Sequence, residues 1–150
     1  MSTLAPLTEA EVTQLVVEWY RGLDVHAPSV ELVQLVVEEG LEMVFPEATV
    51  RGLAEFDHWY NFAILRTYFD EVHTLKQVEV ALNTDQTQAD ARIVVIWEAS
   101  RWPSPAPQSE RLVMEARQRW RVRRSPTSGK AVIVTYIVEQ LEALPGSAAF

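Results

Sequence analysis

Between Leu112 and Val122 the side chains alternate. Leu112, Met114, Ala116, Gln118, Trp120 and Val122 share one parity, and Val113, Glu115, Arg117, Arg119 and Arg121 share the other. Alternation this long predicts a β-strand with one face on an apolar interior and one face outward. Gln118 breaks the inward row, close to Trp120. A carboxamide in an apolar interior is costly unless it finds a partner, whether a side chain, water or a ligand.

Earlier in the chain the period is helical. Thr8 and Glu11 form a capping-box pattern, which predicts a helix start. Val12, Leu15, Val16, Trp19, Tyr20 and Leu23 follow on one helical face. Residues 24–28 break that helix. Ser29 is expected to cap a shorter second helix reaching about Val37, with Gly40 ending the element. A short strand over 41–45 stops at Pro46, and 48–51 is its expected hairpin partner. Gly52 opens a third helix whose inward face is expected to carry Leu53, Phe56, Tyr60, Ala63 and Thr67, with Trp59 beside it. From Val72 the period becomes two, predicting strands over 72–83, 89–102, 110–124 and 130–140. The 103–109 segment is Pro-rich and reads as a stiff hairpin loop. Segregated helices and strands argue for an α+β fold with an antiparallel sheet.

The length, 150 residues, suits one domain over 1–150, with a core over 8–143 and a loose tail over 144–150. The N-terminus does not read as a secretion signal, and no apolar run reaches bilayer length, so a cytoplasmic protein without membrane contact is expected. The chain has no cysteine, which removes disulfides and thiolate chemistry. Its net charge of −8 is uneven: residues 1–71 hold thirteen acids and three bases, and the remainder holds eight acids and ten bases. An acidic chain has no general electrostatic reason to bind nucleic acid.

The element order, with Gly52-Leu-Ala-Glu-Phe56-Asp-His-Trp59-Tyr60 opening the third helix, resembles the SnoaL-like (nuclear transport factor 2-like) superfamily over about 8–143. The resemblance implies three N-terminal helices packed into a strongly curved, mixed but mainly antiparallel six-stranded sheet, forming a cone with an internal pocket. It implies function only weakly, since the superfamily holds isomerases, dehydratases, cyclases and non-catalytic binding modules. In ketosteroid isomerase the base is an Asp before a Pro on the first strand, assisted by a Tyr on the first helix and an Asp on the penultimate strand. The matching places here hold Phe45, Trp19 and Gln118, so that isomerase mechanism is not expected.

Trp19, Phe45, Phe56, Trp59, Trp97, Trp120 and Tyr136, with Met114, are the candidate lining of a ligand pocket; the alternative is that they only fill a core. Gln118 and Tyr136 are the polar groups expected inside, bonded to a ligand, to water or to one another. His73 is the candidate general acid or base, a surface position being the alternative. His26 is placed in a loop. Asp70 and Glu71 are expected in an exposed turn at the end of the third helix. Scattered histidines argue against a metal site, and no cofactor is expected.

Arg111, Arg117, Arg119, Arg121 and Arg123 line one outward face, with Glu98, Asp90 and Glu139 as expected cross-strand partners. Val94, Ile96, Val113, Ile133 and Ile137 are placed on that same outer face, which suggests a homodimer. Two function classes follow. One is a SnoaL-like protein that binds a small apolar, cyclic ligand in an aromatic-lined cavity and isomerises, dehydrates or cyclises it. The other is a non-catalytic ligand-binding or dimeric assembly module.

Overall fold

The computed structural model describes residues 4–150. Helix α1 spans Glu9–Asp24, and Thr8 Oγ1 accepts the Glu11 amide at 3.1 Å. Its expected apolar stripe, from Val12 to Leu23, is buried. Each such side chain contributes about 1.5–3 kcal/mol of burial free energy before chain entropy is subtracted.

Helix α2 is shorter than expected. It covers Ser29–Leu32 and tightens into a 3₁₀ turn over Val33–Leu35. Pro28 takes the cap position, and Ser29 Oγ instead donates to Asp57 Oδ1 at 2.6 Å. The helix stops because the β-branched pair Val36-Val37 is drawn to the sheet: Val36 bridges Ile133, and the Val37 amide donates to Ile133 O at 2.8 Å.

Strands β1 (Glu42–Val44) and β2 (Thr49–Arg51) form the expected hairpin. Helix α3 covers Gly52–Trp59 and continues as a wide π turn over Tyr60–Ile64, where the Leu65 amide donates to Tyr60 O at 2.9 Å. An extra residue per turn rotates the inward face. Phe56 and Tyr60 are buried as expected, but Ala63 and Thr67 are exposed, and Ile64 and Leu65 pack on the core in their place.

The helix therefore ends early, and β3 begins at Tyr68, four residues before its expected start, running to Leu82. β4 (Gln88–Arg101), β5 (Glu110–Arg124) and β6 (Ala131–Ala143) follow. The sheet order is β2-β1-β6-β5-β4-β3. All neighbours are antiparallel except β1 and β6. The alternating stretch is β5, with Leu112, Met114, Ala116, Gln118, Trp120 and Val122 all buried.

Bulges decide where the other strands point their side chains. In the β5–β6 ladder Trp120 faces Tyr136 and Val122 faces Ile133, so one extra residue lies between. Ile133 is thereby turned into the core and fully buried, against its expected place on the outer face. Val94, Ile96, Val113 and Ile137 are half-buried. Of the basic stripe, Arg121 meets Asp90 at 3.2 Å as expected, Arg117 meets Glu115 on its own strand at 3.0 Å, and Arg111 turns to Asp70 O and Ser100 Oγ. Within residues 144–150 three residues bond to β5. The Leu144 and Ala148 amides donate to Val113 O and Arg111 O, and Ser147 Oγ accepts the Val113 amide, each at 2.9 Å. No helix among the described residues is long and apolar enough to cross a membrane.

Candidate active site

Between the inner face of the sheet and the helices lies a cavity of about 100 Å³. It is smaller than the ~150 Å³ apolar cavity known to admit benzene, so a ring-sized ligand enters only if side chains of its wall move apart. Its walls are mainly apolar and aromatic: Leu23, Phe45, Trp59, Ile64, Val95, Trp97, Ala116, Tyr136, Val138 and Leu141. Phe45 stacks on Trp59 with ring centroids 4.6 Å apart. Tyr68 and Phe150 each stand edge-on to Trp97, at 5.1 and 6.0 Å.

Of the expected lining residues, the fold brings Phe45, Trp59, Trp97, Gln118 and Tyr136 to the cavity, together with His73. Trp19, Phe56, Met114 and Trp120 are buried but do not line it. Trp19 packs behind, tilted 5.9 Å from Phe56 and edge-on to Trp120 at 6.3 Å.

Gln118 is buried, and its carboxamide is oriented by its neighbours. Its Oε1 accepts from Tyr20 Oη at 2.8 Å and from Trp120 Nε1 at 3.0 Å. An indole N–H can only donate, so the oxygen is held against Trp120 and the NH₂ end is left toward the cavity. Tyr136 stands beside that nitrogen, and both residues line the cavity. Burial pushes the hydroxyls of Tyr20 and Tyr136 above the ordinary tyrosine range, so both stay neutral hydrogen-bonding groups near neutrality.

Two imidazole–carboxylate pairs stand at the site. His73, inward on β3 opposite Trp97, has a side chain only 7% exposed. Its Nδ1 lies 2.6 Å from Asp24 Oδ1 at the end of α1, and its ring stacks on Tyr20 at 4.8 Å. A carboxylate at Nδ1 fixes the proton there and leaves Nε2 with its lone pair. This arrangement orients the imidazole and leaves Nε2 as its proton-accepting atom.

The second pair joins His26 to Glu71, two residues that no local pattern in the sequence connects. Glu71, expected in an exposed turn, is buried in β3 and lines the cavity. Its Oε2 is 2.6 Å from His26 Nε2, and its Oε1 accepts Trp97 Nε1 at 3.0 Å. His26 stands in the loop after α1 with a left-handed backbone, φ 53°. Glu71, His73 and Leu75 share one parity. That signal was available, but using it required knowing that the strand begins at Tyr68. Nothing local in the sequence links Asp24 to His73. Among the described residues no group of three or more His, Cys, Asp or Glu is gathered to hold a metal ion.

No family model matches the chain, and no curated protein matches it in sequence. Solved structures do match it in fold. Hexachlorocyclohexane dehydrochlorinase LinA-type3 from Novosphingobium barchaimii superposes with a TM-score of 0.72 at 12% identity, over 94% of this chain and 92% of that one. A scytalone dehydratase-like protein from Novosphingobium aromaticivorans gives 0.70 at 17% identity, over 94% of each chain. A nuclear transport factor 2-like superfamily protein from Salmonella enterica gives 0.71 at 14% identity, over 93% of each. The chain thus has the cystatin-like cone fold of the nuclear transport factor 2-like superfamily.

Proposed function

We propose that this protein is an enzyme that removes a proton from carbon in a small apolar, cyclic substrate, with His73 as the base. The observation that carries this is the geometry of His73: a nearly buried imidazole lining an apolar cavity, its Nδ1 2.6 Å from Asp24. The Gln118 amide hydrogens and the Tyr136 hydroxyl are suited to hold a substrate oxygen, where negative charge gathers when the adjacent C–H bond breaks. Phe45, Trp59 and Trp97 would hold the ring and exclude water. Two of the fold neighbours carry names of elimination enzymes, a dehydrochlorinase and a scytalone dehydratase-like protein, which supports the same reading.

The test is exchange of the α-protons of cyclohexanone in D₂O, followed by NMR. The protein should accelerate exchange above buffer, and His73→Asn should lower that acceleration about 100-fold. No acceleration by the unaltered protein would overturn the assignment.

A further inference from the structure

Glu71 is the deepest acidic group in the molecule, and the base mechanism makes no use of it. Its side chain is 3% exposed. A carboxyl so placed is tolerated when it is neutral or paired, and here it is paired with His26. Both of its oxygens already take part in a bond, one with Trp97 and one with His26. A protonated carboxyl has one O–H donor besides the acceptor sites that Trp97 and His26 use, and Glu71 lines the cavity where that proton could be delivered. His26 is the outer member of the pair, its side chain 26% exposed. The sequence from solvent to cavity is therefore His26, then Glu71.

On the same strand, two residues on, stands His73. Two residues of strand set the backbones about 6–7 Å apart. One cavity wall thus presents an imidazole backed by a carboxylate next to a carboxyl backed by an imidazole. We infer that Glu71 is a second catalytic residue, the general acid that protonates a leaving oxygen, with His26 as the positioning residue that returns its proton from solvent. This rests on His73 being the base, and it names the substrate class: a cyclic β-hydroxy carbonyl compound that loses water.

The step balances. The α C–H bond breaks and its proton goes to His73 Nε2. The C–H electron pair becomes the new C=C bond. The C–O bond breaks with its pair on oxygen, which takes the proton of the Glu71 carboxyl and leaves as water. His26 then reprotonates Glu71, and His73 gives its proton to solvent after product release. A halide would leave without a proton, so the acid arm matters only for an oxygen leaving group.

That difference is the test. 3-Hydroxycyclohexanone and 3-chlorocyclohexanone both yield cyclohex-2-enone, followed by its ultraviolet absorbance. The readout is the ratio of the hydroxy to the chloro rate. Glu71→Gln retains an acceptor for Trp97 but has no acidic proton, and it should lower the ratio about 100-fold. His26→Asn should lower it in the same direction; asparagine tolerates the left-handed backbone at this position, so this variant serves if Glu71→Gln fails to fold. His73→Asn should slow both substrates and leave the ratio unaltered.

A ratio unchanged in both Glu71→Gln and His26→Asn would overturn the acid assignment. So would an unaltered protein that eliminates chloride or exchanges cyclohexanone protons but does not release water. Those results leave the His73 reading standing, whereas loss of proton exchange itself would refute that reading instead.

Discussion

Trp120 Nε1 donates to Gln118 Oε1 at 3.0 Å, and this bond decides what the cavity offers a ligand. Because the indole can only donate, the carboxamide cannot rotate its NH₂ end onto Trp120. Tyr20 Oη donates to the same oxygen at 2.8 Å. Gln118 is therefore anchored through its oxygen, and its nitrogen lies beside Tyr136 at the cavity that both residues line. The sequence predicts Tyr136 as a neighbour, and Tyr136 does stand beside the carboxamide, while the oxygen is taken by Tyr20 and Trp120.

Replacing Gln118 by Leu strands two buried donors at once. The variant should lose about 2–4 kcal/mol of stability, at roughly 1–3 kcal/mol per unsatisfied group after partial relaxation. Urea unfolding monitored by tryptophan fluorescence measures it. A neutral result would mean that neither bond contributes to the native state.

Asp24→Asn tests the dyad without removing a ring. The amide preserves the size of the side chain and can still hydrogen-bond the imidazole, but it no longer stabilises the imidazolium or enforces its tautomer. The cyclohexanone exchange rate should fall by about 100-fold or more, with the circular dichroism spectrum unchanged. A rate equal to that of the unaltered protein would show that Asp24 only packs against His73.

The four tyrosines predict an alkaline transition. Burial raises all of them, and Tyr60 is pushed up to about 12. A phenol whose folded value is raised binds its proton more tightly in the native state, so the associated stability is complete below the unfolded value near 10 and is lost as pH rises from there through about 12. Absorbance at the tyrosinate band should stay flat past the ordinary tyrosine range and then rise together with unfolding. Ionisation of any tyrosine at its ordinary value in the folded protein would contradict the buried placements.

Arg124 should matter more than its neighbours in the basic stripe. Its guanidinium binds both Glu11 oxygens, at 2.6 and 2.7 Å, and also Pro6 O at 2.7 Å, tying the start of α1 to the end of β5. Arg124→Ala should cost about 1 kcal/mol, since solvent screens a pair whose Glu11 side chain is 40% exposed, and lysine should not restore the forked geometry. The Arg124 guanidinium holds the Glu11 carboxyl below its usual 4.5, so this contribution is present above that pH and is lost as the pH falls through the lowered value. Thermal melts at pH 7 and below 4 measure both effects.

The outer sheet face carries a separate proposal, that two copies meet there. Val94, Ile96 and Ile137 are half-buried on it, with exposed Arg117 and Arg119 beside them. Ile96→Lys should lower the sedimentation coefficient from dimer to monomer while leaving the melt cooperative. A monomer at micromolar concentration for the unaltered chain would end the proposal. Ile133, buried in the core, would serve only to unfold the protein.

Local pattern carried the framework of the fold. The parity of Leu112–Val122 placed β5 and its inward Gln118 without reference to any other element, because side-chain direction in a strand is a property of the backbone itself. The Thr8–Glu11 cap and the stripe from Val12 to Leu23 did the same for α1. Where a bulge or a wide turn intervened, parity could not be carried forward. Val134 supplies the extra residue opposite the Arg121–Val122 step, which turns Ile133 inward, and the π turn at Tyr60–Ile64 ended α3 early and turned Glu71 from an expected exposed turn into a cavity wall. Such irregularities depend on how ladders and packed faces fit together across the molecule, and a sequence window does not contain that information. The same holds for the chemistry. Asp24 and His73 lie 49 residues apart, and His26 and Glu71 lie 45 apart. The residue types were readable from the chain, but a proton can pass only between groups a few ångströms apart, and only the packing of the end of α1 against β3 creates those distances.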